Sequence, residues 1–300
     1  AIYQPLLTAN QESILSTPHT THPYGSHPRQ KLDVYLPSSS SLNGSDTPIL
    51  IFLYGGGLIH GDKISPQFPL VYHNLGSFFA QRGITTVIPD YRRVNSQFGG
   101  EDAVYPSGAE DLSLTINWVV ENLVTKNKGK QRDLVIMGNS AGGLHLGTWL
   151  LEPQFLEQRI GLIHAKEGSR LKGVIELAVP FSFSNAPSDL GGIISNYYGS
   201  PEKAARNSPH GHLIAYRSSK ISREEAGVPK VLVLLGEHEP EEEIAGPTKR
   251  FVEEWKGGWW EGLEFRELKG HNHISPPWAL MAGEKKGEEW AEGVVSWIKE

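Results

Sequence analysis

The hexapeptide GNSAGG, residues 138 to 143, sets one serine among small residues directly after the apolar run DLVIM. A serine hydroxyl becomes nucleophilic at neutral pH only beside a base that a third group orients. Two readings of Ser140 compete. One is an ordinary strand end, where small residues let the backbone turn. The other is a nucleophile held out on a sharp turn. His271 and His273, in GHNH, are candidates for the base, and Glu237 and Glu239, in GEHEP, for the orienting carboxylate. Each group alone has a plain explanation: GEHEPEEE fits a solvated helix start and GHNH a polar turn. All of them together, in the chain order serine, acid, histidine, favour the chemical reading.

A second feature is the triplet Gly55-Gly56-Gly57 after the apolar run PILIFLY. Glycine weakens strands, so three in a row after a buried strand point to close approach of backbone to a ligand. The Gly56 and Gly57 N–H groups, with that of Ala141, are placed to hold the oxygen of a tetrahedral intermediate. The plain alternative is a flexible loop. A phosphate loop is excluded by motif, because GGGLIHGDK lacks the G-x-x-x-x-G-K-[ST] arrangement.

These residues need a scaffold, and the hydropathy pattern predicts one. KLDVYLP (31 to 37) alternates, as an outer antiparallel-type strand does. PILIFLYGGG (48 to 57), ITTVIPDYR (84 to 92), DLVIMGNS (133 to 140), KGVIELAVP (172 to 180), PKVLVLLGE (229 to 237) and LEFRELKG (263 to 270) supply the further strands. Helical segments run over 70 to 83, 106 to 124, AGGLHLGTWLL (141 to 151) and the C-terminal KKGEEWAEGVVSWIKE. This alternation gives an α/β fold, a mostly parallel twisted sheet with helices on both faces, as a single domain over 1 to 300. Sites in such sheets lie beyond the carboxyl ends of the strands, where the glycines, Ser140, the carboxylates and the histidines all fall. Residues 181 to 228 break the rhythm with Gly, Ser, Asn, Pro and scattered aromatics, and are expected to form a small cap.

Bulk properties narrow the function classes. The chain has 300 residues, enough for a large core, and a net charge of -6, which argues against nucleic acid as a partner. No continuous apolar stretch reaches the length of a membrane-spanning helix, so no membrane partner is expected. There is no cysteine, hence no disulfide and no thiolate chemistry. His271/His273 and His210/His212 have H-x-H spacing but no convincing further ligands, so neither a metal nor a cofactor is expected. The sequon Asn43-Gly44-Ser45 is read as a chance triplet, and His60 and His145 are given no role. The absence of a visible address signal gives a cytoplasmic location as the expectation.

With YGGG at 54 to 57, DYR at 90 to 92, AED at 109 to 111, GNSAGG, GEHEP and GHNHIS in place, the chain resembles the α/β-hydrolase superfamily over about residues 30 to 298. It is most similar to the hormone-sensitive-lipase-like esterases and their kynurenine-formamidase-like and feruloyl-esterase-like relatives. The resemblance implies a Ser140–His273–Glu239 triad, choosing His273 over His271 and Glu239 over Glu237. It implies an oxyanion hole from Gly56, Gly57 and Ala141, and a structural pairing of Arg92 with Asp111. Three positions depart from the pattern: Tyr54 stands for the histidine of HGGG, Asn139 for Asp or His, and Glu239 for the commoner Asp. The longer Glu239 side chain requires a shifted loop.

The expected function is cofactor-free hydrolysis of a small carboxylic ester, or an amide such as a formamide, through an acyl-enzyme. Tyr54 and the cap aromatics Phe181, Phe183, Tyr197 and Tyr198 are candidate substrate contacts, with Tyr216 nearby. The cap aromatics suit an apolar or aromatic small molecule, and equally a cap core. The alternative keeps the fold but runs a condensation, elimination or cyclisation with His273 as base. A ligand receptor and a metal enzyme rank below. Monomer and homodimer are equally compatible with the sequence.

Overall fold

The computed structural model describes residues 2–38, 47–65, 67–94, 103–124, 131–183, 188–258 and 260–300; the sequon at 43 to 45 lies outside them. Eight strands form one sheet: β1 (His19–Pro23), β2 (Lys31–Tyr35), β3 (Ile49–Leu53), β4 (Thr85–Pro89), β5 (Arg132–Asn139), β6 (Ser169–Leu177), β7 (Lys230–His238) and β8 (Leu263–Asn272), in the spatial order β1-β2-β4-β3-β5-β6-β7-β8. β2 pairs antiparallel with β1 and β4; from β4 onward every pairing is parallel. Every residue of β3 and β4 is buried, as continuous apolar runs in a covered parallel sheet must be.

The helices are α1 (Tyr3–Ala9), α2 (Gln11–Leu15), α3 (His73–Gln81), α4 (Ser107–Val119), α5 (Ala141–Leu151), α6 (Leu156–Ile163), α7 (Ser188–Tyr198), α8 (Pro201–Asn207), α9 (Pro209–Ser218), α10 (Gly246–Lys256), α11 (Ser275–Ala279) and α12 (Lys285–Lys299). They cover both faces of the sheet. α2, α3, α11 and α12 touch in succession, as do α4, α5, α6, α9 and α10. The mostly parallel α/β architecture expected from the alternation is therefore present. β2 is not the outermost strand, because β1 lies outside it. The sequence HTTHP of β1 is polar and four of its five residues are exposed, so it carries no hydrophobic period to read. α10 does carry one: Phe251, Val252 and Trp255 share its buried face. The expected helix over 106 to 124 is α4 followed by a π-helical turn, Val120–Val124.

Residues 181 to 228 hold α7, α8 and α9, the last two begun by Ser200 and Ser208 accepting hydrogen bonds from the Lys203 and Gly211 amides. The expected Arg92–Asp111 pairing braces the carboxyl ends of the strands. Arg92 donates through its backbone N–H to Asp111 Oδ2 at 2.7 Å and through Nε to Oδ1 at 2.9 Å. Gln30 Nε2 donates to the same carboxylate at 2.8 Å, which is only 1% exposed.

α5 is buried along its whole length and crosses the sheet at glycines. A Cβ on Gly142 would lie 2.3 Å from the Leu53 carbonyl oxygen and 2.5 Å from that of Tyr54. His145, one turn later, is 1% exposed, with its ring 4.6 Å from that of Tyr91. Burial keeps it neutral, pulling its pKa from 6.5 down to about 3. An unfolded chain takes up this proton near pH 6.5 and the folded chain does not, so stability is full above that pH and falls as the solution is acidified.

Two measurements check this packing. Gly142→Ala should lower the urea-unfolding free energy by about 1–3 kcal/mol, the usual cost of overpacking. His145→Gln should flatten the loss of stability between neutral pH and about pH 4.5, removing on the order of 2–3 kcal/mol of acid sensitivity. Parallel slopes for wild type and His145→Gln would refute the second expectation.

Candidate active site

Ser140 occupies the turn between β5 and α5 with φ 51° and ψ −120°, left-handed backbone that a non-glycine residue adopts only under constraint. The constraint comes from close packing of the turn's glycines. A Cβ on Gly138 would come within 2.6 Å of Gly143 Cα, and one on Gly143 would meet Val179 Cγ2 at 2.2 Å. The Ser140 amide donates to the Leu177 carbonyl at 3.0 Å, and Asn139 Nδ2 donates to the same oxygen at 3.1 Å. Asn139 thus ties the turn to β6.

The Ser140 hydroxyl oxygen lies 2.9 Å from His273 Nε2, and His273 Nδ1 lies 2.7 Å from Glu239 Oε2. The Glu239 side chain is fully buried, whereas His273 is 30% exposed and faces the cavity. The rival residues point elsewhere. Glu237 is exposed and accepts from the Gly270 amide at 2.8 Å, clamping the end of β8. His271 is buried with Nδ1 3.0 Å from Ser275 Oγ, and burial pulls its pKa below the usual value.

The glutamate is accommodated by the strand end. The β7–β8 register slips between Gly236 and His238, and a Cβ on Gly236 would lie 2.8 Å from Glu239 Oε1. A π-helical turn, Glu241–Ala245, follows at once. Among the described residues Oε1 has no hydrogen-bond partner.

The glycine loop folds back on itself: the Ile59 and His60 amides both donate to the Gly56 carbonyl, at 3.2 and 2.8 Å. Gly57 has φ +59°, and a Cβ on Gly56 would sit 2.0 Å from the His60 carbonyl oxygen, so both positions require glycine. Gly56, Gly57, Ser140, Ala141 and His273 line one cavity of about 400 Å³. Its other walls are mostly apolar and include Leu58, Leu144, Phe183, Ile194, Ile244 and Trp278. The N-terminus of α5 points its partial positive charge at the same place.

Several expected substrate contacts are not where the sequence suggested. Of the five aromatics, only Phe183 lines the cavity. Tyr54 is fully buried beneath the glycine loop, its hydroxyl donating to Asp90 Oδ1 at 2.7 Å and accepting from Arg29 Nη2 at 2.9 Å. It braces the loop from behind, stacked between Tyr72 and Tyr91. Phe181 is 1% exposed and stacks on Phe251 at 4.0 Å. Tyr197 and Tyr198 are buried against each other and Tyr105. These four serve as core, because their apolar rings are sequestered by neighbouring helices before they reach the cavity. Conversely, Tyr72, Ile193, Ile194, Ile274 and Trp278 line the cavity and carried no sequence signal. Ile274 stood next to His273 within GHNHIS and Trp278 five residues after it, but neither type marked a contact.

The other histidine pair is not a ligand set. His212 Nε2 lies 3.1 Å from Glu152 Oε2, and His210 packs its ring against Phe251. Among the described residues no three His, Asp or Glu side chains converge as metal ligands. None of the described helices is long and apolar enough to cross a membrane.

The BD-FAE family model matches residues 32–217. A probable isoprenylcysteine alpha-carbonyl methylesterase of Arabidopsis thaliana is 27% identical over 54% of this chain and 34% of its own length. The kynurenine formamidase of Danio rerio is 28% identical over 67% of this chain and 58% of its own. The chain thus spans less than two thirds of the length of the curated relatives it matches. Esterase B of Lactobacillus rhamnosis superposes with a TM-score of 0.69, covering 99% of this chain and 95% of that one at 12% identity. That likeness speaks for the fold. The chain belongs to the BD-FAE family and has the α/β-hydrolase fold.

Proposed function

We propose that the protein is a serine hydrolase cleaving a small carboxylic ester, with Ser140, His273 and Glu239 as its triad. The observation that carries this is the unbroken relay from Glu239 Oε2 to His273 at 2.7 Å and from His273 to Ser140 Oγ at 2.9 Å. An ionised carboxylate accepts only, so Nδ1 holds the ring proton and Nε2 is free to accept from the hydroxyl. Ser140 Oγ attacks the carbonyl carbon as its proton passes to Nε2. The carbonyl π electrons move onto oxygen, which the Gly56, Gly57 and Ala141 amides receive. His273 then gives the proton to the leaving alcohol as the C–O bond breaks. Water repeats the sequence on the acyl-enzyme and restores Ser140.

The largely apolar cavity suits a short acyl or alkyl group, and the Glu242 and Glu243 carboxylates in its lining disfavour an anionic one. The relatives named as a methylesterase and a formamidase keep both esters and amides within the class. The non-hydrolytic alternative, with His273 acting alone as base, is not favoured by these esterase likenesses. The proposal includes one α/β-hydrolase domain over 1 to 300 with 181 to 228 as its cap, and Phe183 as that segment's aromatic contact to substrate. It also includes a cytoplasmic location, and a monomer or homodimer acting without nucleic acid or membrane.

A fluorophosphonate probe should label the folded protein stoichiometrically, with the adduct on Ser140 by peptide mass spectrometry. Ser140→Ala should abolish labelling and lower kcat/KM on short aryl esters by about 10⁴-fold or more. Labelling elsewhere, or undiminished hydrolysis by Ser140→Ala, would sink the proposal. Glu239→Gln should keep the fold yet lower kcat by about 10³–10⁴-fold, because the imidazole loses its orienting charge.

A further inference from the structure

A second cavity, of about 300 Å³, lies between α1–α2 and the segment 64 to 73. Leu7, Leu15, Phe68, Leu70 and Val71 line it beside the polar but uncharged Gln4, Thr8 and Gln11, and none of its lining residues is Asp, Glu, Lys or Arg. His73 is its one titratable group. His73 Nδ1 lies 2.8 Å from the Tyr35 hydroxyl, and burial pulls its pKa down to about 4, so it brings no charge at neutral pH. Trp278 lines this cavity and the Ser140 cavity alike, and among the described residues it is the one shared by both. Segment 71 to 73 completes the division, with Tyr72 facing the Ser140 side and Val71 and His73 the other.

Trp278 borders both cavities, and its ring is held by packing. It rests 4.8 Å from the Phe68 ring, and the indole N–H has no hydrogen-bond partner among the described residues. The backbone on either side is anchored independently. Buried Asn74 donates through Nδ2 to the Pro277 carbonyl at 2.8 Å and to the Leu280 carbonyl at 2.9 Å. Shortening the side chain therefore opens the wall without releasing α11.

We propose that Trp278 is the specificity-determining partition that ends the substrate's apolar arm, and that the compartment behind it accepts the distal methylenes of a longer chain once the ring is removed. This rests on the hydrolase reading of Ser140. The occupant is an alkyl tail, because the compartment is uncharged and adjoins the ester-sized cavity at Trp278. Each methylene buried there is worth about a 4-fold gain in transition-state affinity.

The test uses the full chain and 4-nitrophenyl esters from acetate to dodecanoate, with wild type, Trp278→Ala and Trp278→Leu. Wild type should favour the short esters. The ratio of kcat/KM for dodecanoate to that for butyrate should rise by about 10-fold or more in Trp278→Ala, with Trp278→Leu between. Trp278→Leu carries the test if circular dichroism shows the alanine variant unfolded. A separate titration needs no turnover: dodecanoate binding to Ser140→Ala should tighten by about 10-fold when Trp278→Ala is added. Ester hydrolysis with an unchanged chain-length ratio would overturn the partition and leave the hydrolase reading standing. Tighter dodecanoate binding without hydrolysis of any ester would do the reverse. Unchanged binding overturns the partition in either case.

Discussion

The strained backbone at Ser140 is the constraint on which the rest of the architecture hangs. A residue at φ 51° and ψ −120° does not hold that conformation by itself. It is fixed because three glycines have no room for side chains: Gly138 against the start of α5, Gly142 against the end of β3, and Gly143 against Val179 after β6. That packing lets α5 lie against β3, β5 and β6, fully buried. It also sets the Ser140 hydroxyl above the sheet edge and brings the α5 N-terminus to the same point. Small residues here are therefore a packing requirement first, and the exposure of one hydroxyl is its geometric result.

Around this turn the supporting groups are held by polar contacts that lie under the surface. Tyr54 and Asp90 link the glycine loop to the end of β4, and Arg29 joins them from the segment before β2. Burial raises the Tyr54 and Tyr91 phenols well above their ordinary pKa, so both remain hydrogen-bond donors at any physiological pH. The Tyr91 hydroxyl donates to the Tyr54 carbonyl at 2.7 Å. The loop is thereby pinned from beneath while its amides face the cavity.

Much of the scaffold was legible in the sequence because buried parallel strands and amphipathic helices leave strong periodic signals. ILIFL, TTVIP and the run before Ser140 are of this kind. β1 was illegible because an exposed edge strand has no apolar period. The strand-end residues were legible by type and order, but the preference for Glu239 over Glu237 came from the resemblance alone, since no local pattern announces the register slip at the end of β7. The cavity walls were the least legible part. An aromatic in the 181 to 228 segment can face the cavity, as Phe183 does, or its own neighbours, as Phe181, Tyr197 and Tyr198 do. Composition does not distinguish these outcomes, because burial against a helix and burial against a ligand satisfy the same apolar surface.

The contact between Ser140 and His273 joins groups 133 residues apart in the chain, and that between His273 and Glu239 joins groups 34 apart. The first cannot close until β5 and β8 stand in one sheet with β6 and β7 between them, whereas the second needs only β8 beside β7. Long-range closures of this kind come late in folding, since their loop entropy must be met before the contact rewards it. The relay is consequently an internal gauge of chain completion: a collapsed intermediate holding the first five strands would own the serine and the glycine loop but no imidazole to set against them. Closure of the Ser140–His273 contact during refolding then times the docking of the last strand rather than the formation of the sheet's centre.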